Sequence, residues 1–283
     1  MEFSIKPGSP EKQRSNCVVV GIFEGGKLSE AAKILDITAK HALSDVIGRG
    51  DMSGKIGTTL LLHKVLNIVS DRVLLVGLGK QKEFDEKRYQ DALRATVRSL
   101  FSTGAKDAIL YLSDWSVSRK TSITKAVSSK VAAVQQHHAW CITQAVLVAE
   151  EVGYRFDQMK SNPEKTARPL SKIHFGIEES APLKKILEQA VAIAQGVKLT
   201  KDLGNLPGNI CTPTYLADQA KNLAKSHKLK VTILEEKDME KLGMHSLLSV
   251  TRGSRQPAKL ITLEYAGGDK KDRKSTRLNS SHQ

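Results

Sequence analysis

Residues 72–80, RVLLVGLGK, decide how the first half of this 283-residue chain is interpreted. The stretch begins as a continuous run of valine and leucine and ends in a turn-like Gly-Leu-Gly-Lys. A run that is apolar on both faces predicts a central strand covered on both sides. Three more stretches share this pattern: CVVVGIF (17–23), TLLLH (59–63) and AILYLS (108–113).

Helical periods separate these predicted strands. Tyr89, Leu93, Val97 and Leu100 recur every three or four residues and give one apolar face. The stretch SEAAKILDITAKHALSDVI (29–47) behaves similarly. Strands alternating with helices predict an α/β layered fold for residues 1–156, with helices flanking the sheet.

The next stretch, DQMKSNPEKTARPLSK (157–172), loses the apolar period and carries two prolines and dense charge. We predict a linker over 157–182 and the start of a second α/β domain over 183–269. Thr212 before Pro213 is a helix start, LKVTIL (229–234) and KLITLEY (259–265) are strands, and Gly243 ends a short helix. A long helix precedes them, and its apolar stripe comprises Leu183, Ile186, Leu187, Ala190, Ala194 and Val197.

The net charge of +14 is the unusual bulk property and favours contact with polyanions such as nucleic acid. Residues 116–149 contain no acid, and four basic residues there are nucleic-acid candidates: Arg119, Lys120, Lys125 and Lys130. Such a stripe could contact phosphates. The alternative is a solvated helix face and loop, which is what most runs of charged residues form.

Two other motifs have a structural and a functional interpretation. The glycines of VGLGK (76–80) could bring backbone N–H groups to a phosphate, as in a nucleotide binder. The third glycine of the dinucleotide fingerprint is absent, which favours a plain turn.

His137, His138 and Cys141 share one helix, yet zinc needs three or four ligands. We therefore predict surface histidines beside a half-buried cysteine.

Nucleophilic catalysis has no visible motif, because the chain lacks Gly-x-Ser-x-Gly and a P-loop. The three cysteines are widely separated and odd in number, which favours a reducing cytoplasm. No stretch is long and apolar enough for a membrane span, and the polar N-terminus lacks a signal-peptide pattern.

Several phrases resemble the leucyl aminopeptidase family in the expected order. KDLGNLPGNICTPTYLA (201–217), LGMHSLLSV (242–250) and LITLEY (260–265) resemble the opening of its catalytic domain. The first 24 residues, together with TLLLH and RVLLVGLGK, resemble the N-terminal domain of its bacterial branch, aminopeptidase A. The resemblance covers nearly all of residues 1–269.

The resemblance implies a smaller N-terminal domain related to macro domains, with a mixed sheet, and a larger peptidase domain. It also implies two divalent ions (manganese, zinc or magnesium), peptide substrates and a homo-hexamer. Two metals would activate a water and polarise the scissile carbonyl. Some bacterial members bind DNA, so a DNA-binding accessory module is the alternative function.

The resemblance stops before the family's metal-binding motifs. No Lys-Gly followed by Phe-Asp occurs after Asp269, so no metal ligand and no catalytic residue is assigned, and no metal is expected to bind this chain. The last segment, RKSTRLNSSHQ (273–283), resembles a peptide translated from sequencing-adapter DNA, and we predict a non-native, disordered tail over 270–283, with a genuine short isoform as the main alternative. The expectation is an incomplete peptidase domain without peptidase activity.

Overall fold

The structure is a computed structural model, and it describes residues 1–113, 130–162 and 170–267. The chain divides into two compact units, residues 1–201 and residues 202–283. Each unit is considered by itself below.

A mixed 7-stranded sheet organises the first unit. Its strands are β1 (Glu2–Ile5), β2 (Val18–Phe23), β3 (Lys27–Leu28), β4 (Thr59–His63), β5 (Arg72–Gly79), β6 (Asp107–Tyr111) and β7 (Lys172–Phe175). The order is β1-β7-β6-β2-β5-β4, with β3 pairing antiparallel to β2. Strands β1, β7, β6, β2 and β5 run parallel, whereas β4 is antiparallel to β5. The predicted mixed sheet flanked by helices is therefore confirmed.

Helices cover both faces of this sheet. They are α1 (Glu30–Thr38), α2 (Ala42–Gly48), α3 (Glu86–Phe101), α4 (Lys130–Gly153) and α5 (Ala181–Asn205), the last of which runs past residue 201. One core lies under α3, α4 and α5, and it includes the predicted α3 stripe of Tyr89, Leu93, Val97 and Leu100. The other lies under α1 and α2. Every residue of β2 is buried, as expected for a strand covered on both sides.

The predicted helix over 29–47 is two helices. Ser29 caps α1, since its hydroxyl accepts a hydrogen bond from the backbone N–H of Ala32 at 3.3 Å. Lys40 and His41 then take left-handed backbone conformations and separate α1 from α2. Asp36 fixes this break, because its carboxylate accepts hydrogen bonds from the backbone N–H and the hydroxyl of Ser44 at 2.8 and 2.6 Å.

The stretch predicted as a linker is partly built into the first unit. Strand β7 lies inside residues 157–182 and pairs in parallel with both β1 and β6. Helix α5 starts at Ala181, and its residues Leu183, Ala190 and Ala194 belong to the first unit's core. Val197, placed on the same stripe from the sequence, is exposed. The compact first unit therefore extends to Lys201, beyond the predicted boundary at residue 156.

The second unit is smaller and less buried. Its elements are α6 (Pro213–His227), β8 (Lys230–Leu234), α7 (Glu236–Lys241), α8 (His245–Thr251) and β9 (Leu260–Glu264), with β8 and β9 paired antiparallel. Thr212 caps α6 as predicted, accepting a hydrogen bond from the N–H of Tyr215 at 3.2 Å. Gly243 follows α7 with a φ of 71°, the predicted left-handed stop. Leu216, on the same helix, is exposed.

Within the ranges that the structure describes, no helix combines the length and the apolar character needed to cross a membrane.

Candidate functional site

The Gly-Leu-Gly segment, for which a phosphate loop was the less favoured interpretation, lies within strand β5, and Lys80 follows the strand. Gly77 donates its backbone N–H to the carbonyl of Thr58, and Gly79 donates to that of Gly54, both at 2.8 Å. A phosphate loop needs free N–H groups directed at the ligand. Both amides already have partners within the chain, which favours the plain-turn interpretation of this motif. The turn itself begins only at Lys80, after the end of β5.

Close backbone packing explains the glycine at position 77. A Cβ atom there would overlap the backbone oxygen of Lys55 and the hydroxyl oxygen of Thr58. The segment from Gly54 to Thr58 therefore lies directly against β5, and only a residue without a side chain allows this contact. Close packing of this loop therefore accounts for Gly77 without a ligand.

His137 and Cys141 form a buried pair on α4, one helical turn apart. The Nε2 atom of His137 lies 3.5 Å from Cys141 Sγ and 3.2 Å from the carbonyl oxygen of Ser113, just beyond β6. Both side chains are 2% exposed. The prediction of surface histidines beside a half-buried cysteine is therefore wrong for His137, whereas His138 is partly buried. Burial, with a smaller contribution from His138, lowers the pKa of His137 to about 4.

This pair does not make a metal centre. A catalytic zinc site needs three protein ligands and a structural one needs four. Across residues 1–113, 130–162 and 170–267, no group of three or more His, Cys, Asp or Glu side chains could hold a metal ion. The two divalent ions that the resemblance implies therefore have no fitting ligand set in the described part of the chain.

A polar row that the sequence did not reveal crosses three strands. Ser4 Oγ on β1 lies 2.6 Å from His174 Nδ1 on β7, and His174 Nε2 lies 3.9 Å from an Asp107 oxygen at the start of β6. Burial, followed by Lys6, lowers the pKa of His174. The carboxylate is too far away for a hydrogen bond that would orient the imidazole. The row is a structural feature of the sheet face and lacks the geometry of a catalytic triad.

Two cavities flank α5 within the first unit. A cavity of about 540 Å³ has an apolar lining of Phe3, Leu187 and Val191, with the Glu179–Lys184 ion pair at its rim. A second cavity, of about 240 Å³, contains Tyr154, whose ring lies 5.1 Å from Lys201 Nζ. Ser4 also lines the larger cavity and contacts His174, but the Asp107 carboxylate, 3.9 Å from His174 Nε2, is too far away to orient that pair.

The basic residues proposed for nucleic-acid contact are not placed by the structure. Arg119, Lys120 and Lys125 lie outside the described residues. Lys130 is the first residue of α4, and its side chain is not described. These four residues therefore stay a prediction from the sequence.

Two family models match the chain in sequence order. The model of the cytosol aminopeptidase family N-terminal domain matches residues 19–163. The model of the catalytic domain of the same family matches residues 198–278. The second match begins close to the boundary between the two compact units and ends inside the stretch predicted to be a non-native tail.

Curated relatives are similar over almost the whole chain. The chain is 51% identical over 270 residues to a probable cytosol aminopeptidase of Dechloromonas aromatica, with 94% of this chain and 51% of the relative covered. It is 49% identical over 271 residues to a probable cytosol aminopeptidase of Nitrosomonas europaea, with 95% and 51% covered. The chain thus spans about half the length of the curated relatives it matches.

Solved structures share the fold. A mutant of tomato leucine aminopeptidase superposes with a TM-score of 0.68 at 22% identity, covering 92% of this chain and 50% of that chain. The bottromycin maturation enzyme BotP in complex with Mn superposes with a TM-score of 0.61 at 22% identity, covering 89% and 45%. At this identity the superpositions show the fold alone.

Proposed function

The chain belongs to the cytosol aminopeptidase family, and from this premise we propose that it is part of a metal-dependent enzyme that removes amino-terminal residues from peptides. The supporting observation is the match of both domain models of the family, in sequence order, to residues 19–163 and 198–278. The relatives at about 50% identity carry the same family name.

Two divalent metal ions are part of this proposal for the whole enzyme. Manganese, zinc and magnesium are the candidates, and BotP, which shares the fold, has been solved with Mn. Metal ions in such enzymes supply an activated water and polarise the carbonyl. No described residue of this chain is assigned to them, because the described residues hold no ligand set.

We further propose that the 283-residue chain does not hydrolyse peptides by itself. The chain spans only about half of its relatives, and the catalytic-domain match occupies only residues 198–278. The described residues contain neither a metal-ligand group nor a nucleophile–base–acid arrangement with hydrogen-bonded geometry. Its contribution is then the N-terminal domain and the first elements of the catalytic domain.

An assay with leucine p-nitroanilide tests this proposal. The purified chain is incubated with Mn²⁺, Zn²⁺ or Mg²⁺ beside the full-length Dechloromonas aromatica relative as the positive control. We expect metal-dependent, chelator-sensitive release of p-nitroaniline from the relative and none above background from the chain. An inactive relative would count against the proposed activity, and an active chain against the proposed inactivity.

A cytoplasmic location and a hexameric assembly of the whole enzyme are also proposed. Relatives named cytosol aminopeptidase support the location, and the resemblance of the sequence motifs to a hexameric family supports the assembly. Light scattering of the Dechloromonas aromatica relative tests the assembly. A mass of about one subunit would contradict the hexamer.

Binding to DNA is the second candidate function, and the net charge of +14 is the observation that favours it. A gel shift of the chain with duplex DNA at several salt concentrations tests it. We expect affinity that falls steeply with salt if basic side chains contact phosphates. Weak binding with a shallow dependence on salt would remove this candidate.

A further inference from the structure

Strands of similar composition are buried to very different degrees in the two units. Strands β2 and β5 consist mainly of valine, leucine and isoleucine, and nearly every residue in them is buried. Strands β8 (KVTIL) and β9 (LITLE) are also rich in such residues, yet none of their residues is buried. A strand with this composition is typical of the interior of a sheet with both faces covered.

The second unit has little core of its own. Within the described residues 202–267, the buried hydrophobic side chains are four alanines and one methionine: Ala217, Ala220, Ala224, Met239 and Ala258. Alanine buries little apolar surface, so these residues contribute little to a hydrophobic core. A two-stranded sheet is also marginally stable unless further strands or helices pack on it.

Large apolar side chains in this unit face solvent instead. Val250 on α8 is 81% exposed, and Tyr265, directly after β9, is 78% exposed. We call the exposed set the open face, and it comprises Leu216, Leu242, Leu247, Val250, Leu263 and Tyr265. Large apolar side chains that are exposed on a unit with so little core of its own are typical of a surface that packs against another domain or chain.

About half of each similar protein lies outside its match to this chain. The chain covers 51% of the Dechloromonas aromatica relative, and it superposes over 92% of its own length on 50% of tomato leucine aminopeptidase. In each case a half of similar size lies outside the match. The catalytic-domain model matches residues 198–278, so the unit that carries the open face belongs to the catalytic domain.

We propose that the open face is a docking surface for the remaining half of a cytosol aminopeptidase, and that this half binds the chain even when supplied as a separate polypeptide. The inference rests on the proposed function only in taking its partner from the same family. Apolar burial drives the association, and the exposed edges of the β8–β9 pair can accept further strands.

Co-expression tests this inference. The affinity-tagged chain is produced together with the half of the Dechloromonas aromatica relative that lies outside the match. We expect the two polypeptides to co-purify and to elute together from a sizing column. A half that remains insoluble, or that does not co-elute with the chain, overturns the proposal.

Matched substitutions locate the contact. V250D places a charge on the open face, whereas I37D places one on α1 of the first unit, where Ile37 is also largely exposed, at 70%. We expect V250D to reduce the recovered half at least about tenfold and I37D to leave it unchanged, with both variants keeping the circular dichroism of the parent. Equal losses of the co-purified half from V250D and I37D would overturn the assignment of the contact to the open face. Self-association of the chain through Val250 that excludes the complementary half would overturn it as well.

Peptidase activity of the complex is read separately from binding. A complex that forms and is lost on V250D, but that does not hydrolyse leucine p-nitroanilide, supports the docking surface and counts against the proposed function. A preparation without any complex counts against the docking surface, while the full-length relative still reports on the function.

Discussion

The backbone oxygen of Lys55 occupies the space that the Cβ atom of any side chain at position 77 would need. This relationship joins the segment 54–58 to the end of β5 and accounts for Gly77 without a ligand. Backbone-to-backbone contact of this kind cannot be relieved by rotating a side chain.

The substitution G77A is therefore expected to destabilise the chain by about 2–3 kcal/mol, since overpacking against a fixed backbone forces the loop away from the strand. Urea unfolding measures the change. The control is G48A at the end of α2, where an added Cβ meets no atom within 4 Å, and it should be neutral or slightly stabilising. Equal stability of G77A and G48A would contradict the packing described here.

Removal of the Asp36 carboxylate should cost about 2 kcal/mol, because the hydroxyl and the backbone N–H of Ser44 lose their acceptor. The variant is D36A, and the control is D51A at an exposed position, with an expected change within about 0.5 kcal/mol. Chemical denaturation at pH 7 measures both.

The same variant has a pH dependence of known sign. Burial would raise the pKa of Asp36, but hydrogen bonds from Ser44 and His41 outweigh it and hold the pKa below the usual value near 3.8. The ionised carboxylate thus stabilises the fold above pH 4, and this contribution is lost as the pH falls through the lowered pKa. The loss of unfolding free energy caused by D36A should shrink in acid, and a loss independent of pH would argue against an ionised Asp36.

His137 should make the fold sensitive to mild acid. Its pKa is about 4 in the folded chain, because of burial and then His138, against about 6.5 when unfolded. Between these values the unfolded chain binds the extra proton, so stability falls as the pH falls, by up to about 1.4 kcal/mol per pH unit. In urea titrations between pH 6.5 and pH 4.5, the free energy of unfolding of the H137Q variant should therefore fall less steeply with falling pH than that of the parent. An unchanged slope would mean that His137 titrates normally in the fold.

The three cysteines should differ sharply in reactivity. Cys17 and Cys141 are buried, and burial raises the pKa of the Cys17 thiol to about 12, whereas Cys211 is partly exposed. Because the thiolate is the reactive form, a disulfide reagent should modify about one thiol quickly in the native chain and all three after unfolding. The C211S variant should lose the fast phase. A second fast thiol in that variant would show that Cys17 or Cys141 is accessible.

The sequence predicted the elements that depend on local pattern. Continuous apolar runs identified β2, β5 and β6, the three-to-four-residue period identified α3, and the hydroxyl before a proline identified the start of α6. These signals are local, because side-chain periodicity and helix caps are properties of neighbouring residues. The α/β layering with helices flanking the sheet followed from them, whereas the mixed sheet was what the family resemblance implied.

The features that depend on distant partners were missed. Strand β7 is four residues long and follows a charged stretch with two prolines, so only its pairing with β1 and β6 makes it a strand. Buried His137 contacts the carbonyl oxygen of Ser113, 24 residues away along the chain. Val197 fits the apolar stripe of α5, yet it is 46% exposed. Pattern alone cannot tell whether a stripe has something to pack against.

We propose that this chain, which belongs to the cytosol aminopeptidase family, hydrolyses peptides only together with the rest of the catalytic domain. The most direct measurement is the rate of leucine p-nitroanilide hydrolysis with Mn²⁺, by the purified 283-residue chain alone and by its complex with the complementary half of the Dechloromonas aromatica relative. We predict no turnover above background for the chain and chelator-sensitive turnover for the complex. Robust, chelator-sensitive hydrolysis by the chain alone would contradict the claim.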